Sequence, residues 1–79
     1  MSEEEFKLPP SYREIAEIIT AEIDKGTYPY GSRLPSTAEL AHEFDVSVAT
    51  VERAMRLLAQ AGTIVGGQGL GRFVTRRPA

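Results

Sequence analysis

The sequence has no cysteine, no tryptophan and a single histidine, His42. Without cysteine, the chain forms no disulfide and offers neither a thiolate metal ligand nor a cysteine nucleophile. His42 follows Glu39 by three positions, but no third metal ligand has a similar spacing, and we expect His42 to be a solvated helix residue. We therefore expect no enzyme activity, with no catalytic residue, metal, cofactor or small-molecule site in this chain.

Long hydrophobic runs are also missing, because the longest uninterrupted apolar stretch is three residues. No segment approaches the roughly 20 residues that a membrane-spanning helix needs. The chain begins with the acidic stretch Met1–Glu5, whereas signal and transit peptides begin with basic residues. With 79 residues, 42% of them hydrophobic, the sequence predicts one small cytoplasmic domain that has no membrane partner.

Acidic residues are absent after Glu52, although the first 26 residues carry seven acids and three bases. The bases after Glu52 are all arginines: Arg53, Arg56, Arg72, Arg76 and Arg77. The formal net charge of −2 thus conceals a basic segment within an acidic chain. This separation indicates a basic surface for an anionic partner, although surface arginines can also serve solubility alone. Arginine, rather than lysine, favours planar recognition of phosphate or carboxylate groups.

Three helices are predicted, each beginning at a serine. Ser11 with Glu14 and Ser36 with Glu39 fit capping boxes, in which each side chain accepts a hydrogen bond from the other residue's backbone N–H. Ser47 can cap the third helix without a reciprocal partner, because its side-chain oxygen can accept a hydrogen bond from a backbone N–H of the first turn. The spacing of apolar residues predicts helices over residues 12–25, 37–44 and 48–61.

A glycine-rich segment over residues 66–71 follows the third helix and contains four glycines. Residues 63–65 and 72–75, on either side of it, are rich in β-branched residues, which predicts a β-hairpin with 66–71 as its loop. Arg33-Leu34 is expected to form a very short strand. The expected organisation is a flexible acidic arm over 1–10, a folded domain over 11–75 and a basic tail over 76–79.

Two short helices joined by a tight turn at Asp45-Val46 form a helix-turn-helix, in which the second helix enters the DNA major groove. The outward side of that helix, 48–61, carries Arg53 and Arg56, which can reach phosphate or guanine. Ser47 and Thr50 are short hydroxyl groups at its N-terminus, where the helix dipole favours phosphate. With the hairpin as a wing flanked by Gln68 and Arg72, the fold class is mainly α with a small β-hairpin, a winged helix-turn-helix.

At these residues the sequence resembles the N-terminal DNA-binding domain of the GntR family of bacterial transcription regulators. The resemblance covers residues 12–74 and is carried by Tyr12, Ile15-Ala16, Gly26, the stretch Gly31–Ser36, Glu39–Ala41, Val46-Ser47, Thr50-Val51, Ala54, Leu57-Leu58, Gly62, Gly69, Gly71 and Phe73-Val74. It implies a three-helix winged fold that binds double-stranded operator DNA as a dimer, so that a palindromic site is expected. From the 79 residues alone we expect a monomer in solution, because no large dimer interface is evident.

The DNA-contacting residues that we predict come from the helix positions above together with the resemblance. They are Arg33, Ser36, Ser47, Val48, Ala49, Thr50, Glu52, Arg53, Arg56, Gln68, Gly69, Gly71 and Arg72. The chain departs from the family pattern at Ala38, Val48 and Glu52, where the resemblance leads us to expect arginine. Glu52 beside a phosphate would repel it, although glutamate can also accept a hydrogen bond from cytosine N4.

These departures keep a second function open, a winged helix that binds a protein and has lost strong DNA binding. Val48, Ala49 and Glu52 give the third helix an apolar-to-acidic leading edge, which would suit a protein surface. A fold alone does not decide between the two functions. DNA is favoured by the arginines that could flank a groove, which are Arg33, Arg53, Arg56, Arg72 and the pair Arg76-Arg77.

Overall fold

Three helices and a two-stranded hairpin follow one another in the computed structural model, which describes residues 8–67 and 69–77. The elements are α1 (Tyr12–Asp24), α2 (Thr37–Phe44), α3 (Val48–Gln60), β1 (Ile64–Gly67) and β2 (Gly71–Val74). The predicted order is confirmed. α1 and α3 each end one residue earlier than predicted, at Asp24 and Gln60, and the C-caps Lys25 and Ala61 follow them. No helix in these two ranges is long and apolar enough to cross a membrane.

Both capping boxes are present. The Glu14 N–H donates to Ser11 Oγ at 3.2 Å, and the Ser11 N–H donates back to the Glu14 carboxylate at 2.8 Å. Ser36 and Glu39 repeat this arrangement at 3.1 and 2.8 Å. These reciprocal bonds satisfy N–H groups that a helix start leaves unpaired, which is why α1 and α2 begin where the sequence predicts.

The core lies where α1 and α2 pack against α3, with the hairpin closing one end. Its buried members include Ile15, Ile19 and Ile23 from α1, and Leu40 from α2. The inward stripe of α3 is buried as well: Val51, Ala54, Met55 and Leu58. Burial of these side chains is the main favourable term for so small a domain, and it holds α3 with its opposite face toward solvent.

The turn between α2 and α3 depends on Asp45, which has φ of 57° and ψ of 50°, the left-handed conformation. Asp45 is the only residue other than glycine with a positive φ in the described part of the chain. Aspartate tolerates this conformation better than most side chains. The chain therefore turns directly after the end of α2, and Ser47 caps α3 two residues after Asp45.

The hairpin strands reach further into the glycine-rich segment than the sequence predicts. Gly66 pairs with Arg72 and Gly67 with Gly71, so the predicted loop over 66–71 shortens to residues 68–70. A side chain at Gly66 would collide with the carbonyl oxygen of Gly71, and glycine is therefore required for the strands to approach at this point. Among these residues, Gln68 lies outside the part of the chain that the structure describes.

The linker between α1 and α2 runs along the outer side of β2. Arg33 forms a single antiparallel bridge with Phe73, so the short strand expected at Arg33-Leu34 is reduced to one residue. The Leu34 N–H donates to the Arg72 carbonyl at 2.8 Å, and the Val74 N–H donates to the Ser32 carbonyl at 2.9 Å. These bonds tie the hairpin to the helical body and hold β2 beside the start of α2.

Candidate nucleic-acid interface

An open groove lies between the N-termini of α2 and α3 and the inner side of the hairpin. Its volume is about 490 Å³, and many of the residues predicted from sequence to contact DNA line it. These are Arg33, Ser36, Val48, Glu52, Gly69, Gly71 and Arg72. Residues that are up to 39 positions apart in the sequence thus meet at one surface, because the hairpin folds back over the α2–α3 corner.

The exposed face of α3 adjoins this groove and carries Ala49, Arg53 and Arg56, all of them exposed. Val48, at the start of the helix, has 49% of its surface exposed. Within the described ranges Arg56 makes no ion pair. The predicted outward stripe therefore lies on the solvent side, opposite the buried stripe of α3.

The Ser47 side chain caps the N-terminus of α3. Its Oγ accepts a hydrogen bond from the Thr50 N–H at 3.1 Å and lies 2.9 Å from the Thr50 hydroxyl. The two hydroxyl groups bond to each other, and the N-cap role predicted for Ser47 is confirmed. Both residues remain at the N-terminus of α3, where unpaired backbone N–H groups and the helix dipole attract anions.

Arg53 is stacked on the aromatic ring of Tyr12, which the sequence analysis did not include among the residues of the interface. Its guanidinium carbon lies 4.1 Å from the centroid of Tyr12, and that of Arg13 lies 5.5 Å from the same centroid. Arg13 Nε also donates to the Tyr12 hydroxyl at 3.2 Å, and this hydrogen bond is the main cause that lowers the pKa of Tyr12 below its usual value. The start of α1 thus extends the basic face of α3, and no local pattern could have indicated it.

Glu52 and Arg72, both predicted as DNA contacts, are bonded to each other. Arg72 Nη2 donates to Glu52 Oε1 at 2.8 Å, and 20% of the Arg72 side chain and 35% of the Glu52 side chain are exposed. The sequence indicated an isolated acid on α3, but the structure provides it with a cation from the hairpin. The two residues are 20 positions apart, and only the fold of the hairpin against α3 brings them together.

Arg33 lies against β2, and its guanidinium is next to Gly71 at the loop end of the hairpin. Gly71 has φ of 86°, and a Cβ atom on it would collide with the Arg33 guanidinium. The absent side chain at Gly71 therefore makes room for Arg33, which brings a second arginine to the groove beside Arg72. The resemblance singled out Arg33 and Gly71 separately, and the structure shows that they are neighbours.

Arg76 and Arg77, at the start of the predicted basic tail, lie on the folded body outside the groove. Arg76 donates two hydrogen bonds to the Asp24 carboxylate, at 3.0 and 3.2 Å, which lower the pKa of Asp24. The Arg77 guanidinium lies 4.4 Å from the ring centroid of Tyr30. Residues 78–79 of the predicted tail and residues 1–7 of the predicted arm lie outside the described residues.

Comparison with known proteins gives a consistent result. The family described as "Bacterial regulatory proteins, gntR family" matches residues 11–74. The histidine utilization repressor of Pseudomonas putida is 40% identical over 65 residues, which cover 82% of this chain and 26% of the repressor. The transcriptional repressor STM4068 of Salmonella typhimurium is 33% identical over 78 residues, covering 99% of this chain and 32% of that protein. The chain spans about a quarter to a third of the length of these relatives.

Solved structures of DNA-binding domains and transcription factors share the fold. The DNA-binding domain of AraR, solved in complex with operator ORX1, superposes with a TM-score of 0.79 at 33% identity, covering 95% of this chain and 87% of that one. YtrA of Sulfolobus acidocaldarius, a GntR-family transcription factor, gives a TM-score of 0.76 at 35% identity, covering 91% and 76%. The three helices and the two-stranded hairpin are thus those of a winged helix-turn-helix, and this chain belongs to the gntR family of bacterial regulatory proteins.

Proposed function

We propose that this chain is a sequence-specific DNA-binding module of a transcription regulator, with α3 in the major groove and the hairpin wing on the backbone or in the minor groove. The observation that carries the proposal is the single surface on which the exposed face of α3 and the groove beside the wing adjoin. This surface presents Arg33, Arg53, Arg56 and Arg72, whereas α1 carries four of the eleven acids of the chain. The AraR domain, which shares this fold, was solved with its operator.

The residues of this surface have different proposed roles. Arg53 and Arg56 project from α3, and an arginine there can bond to phosphate or to guanine O6 and N7. Ser36 and Ser47 mark the two helix N-termini, where backbone N–H groups bind phosphate. The wing backbone can approach DNA most closely at Gly69, which has no side chain and lies between Gln68 and Gly71 in the sequence. At the front of α3, Val48, Ala49 and Thr50 present small groups, which can contact a thymine methyl group.

The partner is double-stranded DNA, and we propose pairing of two copies on a palindromic site. Two recognition helices on successive turns of the duplex would read half-sites about 34–36 Å apart. The acid at Glu52, which supported a protein-binding function, is paired with Arg72 and is not an isolated charge on the leading edge. DNA is therefore the partner that the geometry supports best. Sedimentation of the protein with one-site and two-site duplexes would measure the pairing.

Titration of the isotope-labelled protein with mixed-sequence duplex at low salt tests the function itself. We expect amide shifts concentrated in residues 47–56 and 66–72, decreasing as salt rises, because phosphate contacts depend on counterion release. The C-terminal half of α1 provides the internal reference, since it lies away from the surface. No shift at millimolar duplex would contradict DNA binding, and shifts in α1 alone would place the interface elsewhere.

A further inference from the structure

The ion pair between Glu52 on α3 and Arg72 on β2 crosses the groove from the recognition helix to the wing. Arg72 has only 20% of its side chain exposed, so its guanidinium is turned toward α3 and away from bulk solvent. The bond of 2.8 Å uses one terminal nitrogen of Arg72 and one oxygen of Glu52. In the free protein, the Glu52 carboxylate therefore accepts a hydrogen bond from the Arg72 guanidinium, which could otherwise donate to a phosphate.

The pairing of Glu52 with Arg72 lowers the positive charge of the groove. Its lining includes two guanidinium groups, of Arg33 and Arg72, and one carboxylate, of Glu52. The carboxylate lowers the net positive charge of the groove from two to one. A phosphate that enters must therefore compete with Glu52 for Arg72, because carboxylate and phosphate oxygens accept from the same planar fork of N–H donors.

We propose that Glu52 lowers sequence-independent DNA affinity by holding Arg72 away from the phosphate backbone. This inference rests on the proposed function and refines it. Affinity for DNA of any sequence depends on the number of phosphates that the protein neutralises, and each contact withheld reduces the dependence of binding on salt.

The experiment is a double-mutant cycle read by salt dependence. Wild type, Glu52→Gln, Arg72→Gln and the double variant are titrated with a mixed-sequence duplex of about 20 base pairs between 50 and 200 mM salt. The double variant has the same net charge as wild type, so general electrostatics cancel between them. Glu17→Gln, at an exposed position on α1, is the matched control for the loss of one negative charge. Amide spectra of each variant verify the fold.

We expect Glu52→Gln to bind more tightly, by about threefold to tenfold at 100 mM salt, with a log–log slope steeper by about 0.9, as one added phosphate contact predicts. Replacing Arg72 should change the slope more in the Glu52→Gln background than in wild type, because the Arg72 guanidinium reaches phosphate only when the carboxylate is gone. The double variant should match wild type in both slope and affinity. The Glu17→Gln control should remain within about twofold of wild type, because Glu17 does not line the groove.

Two results would overturn the inference while leaving DNA binding in place. If replacing Arg72 flattens the slope equally with and without Glu52, Arg72 already contacts phosphate in the wild type and Glu52 does not withhold it. If Glu52→Gln and the double variant bind with equal affinity and equal slope, the gain does not depend on Arg72, and the effect is general repulsion by the carboxylate. Absence of binding by every variant at 50 mM salt would instead overturn the proposed function, and the inference with it.

Discussion

The guanidinium of Arg53, on the exposed face of α3, lies 4.1 Å from the centre of the Tyr12 ring at the start of α1. A cation over an aromatic face at this distance gains about 0.5–1 kcal/mol at an exposed site, so the ring restricts the orientations of Arg53. The side chain that we propose as a DNA contact is therefore partly oriented before DNA arrives. Less conformational entropy is then lost on binding.

Replacing Arg53 by alanine should weaken binding to a cognate operator. We expect a loss of about 1–3 kcal/mol and relaxed preference at one base position if the contact is bidentate to guanine. Fluorescence anisotropy with a set of single-base operator variants measures both. Tyr12→Phe is the control, since it keeps the aromatic face under the guanidinium. Unchanged affinity and preference in Arg53→Ala would remove Arg53 from the interface.

Core stability can be tested with neighbouring isoleucines of α1. Ile19 is 1% exposed, whereas Ile18 is 40% exposed on the other side of the helix. Ile19→Ala should reduce the free energy of unfolding by about 2–5 kcal/mol, because it removes buried methyl groups and leaves a cavity. Ile18→Ala should cost far less, since little burial is lost. Urea denaturation followed by circular dichroism compares the two, and equal losses would contradict the core described above.

The hairpin offers a matched pair of glycines. Gly69 and Gly71 have φ of 87° and 86°, but only at Gly71 would a Cβ atom meet the Arg33 guanidinium. Each alanine substitution carries the cost of a left-handed backbone, about 1–2 kcal/mol. Gly71→Ala should be the more destabilising and should displace Arg33, which chemical shifts of the Arg33 side chain would report. Equal stability and unchanged Arg33 shifts would show that the two side chains do not compete for space.

The pair between Asp24 and Arg76 makes stability depend on pH. The hydrogen bonds from Arg76 lower the folded-state pKa of Asp24 below its ordinary value of 3.8. A lowered carboxyl pKa stabilises the fold above the unfolded-state pKa, and this stabilisation is lost as the pH falls through the folded-state pKa. Wild type should therefore be more stable than Arg76→Gln at neutral pH.

The same difference should disappear in acid, once Asp24 is protonated in both proteins. Carbon-detected titration of the Asp24 carboxyl should show its pKa rising toward the ordinary value in Arg76→Gln. Arg77→Gln is the control, because Arg77 stacks on Tyr30 instead of pairing with the carboxylate. An Asp24 pKa that is equal in wild type and Arg76→Gln would show that the pair does not persist in solution.

Local patterns were sufficient for most of the backbone. Ser11 and Ser36 begin helices because their partners are three residues away, and a capping box is complete within one turn. The buried stripe of α3 follows from helical periodicity alone. The prediction of the hairpin is less accurate. The sequence places the glycines at 66, 67 and 71 in a loop, but they pair in the strands. Glycine content indicates close approach and turns equally well, and only the register distinguishes them.

The sequence alone determined the order of elements, the buried faces and the position of the recognition helix, because each depends on residues within one or two turns of one another. Tertiary structure decided the partners of the arginines. Arg53 with Tyr12, Arg72 with Glu52 and Arg76 with Asp24 join residues that are 20 or more positions apart in the chain. A long, flexible guanidinium has no periodic signature, so its partner is set by which elements pack side by side.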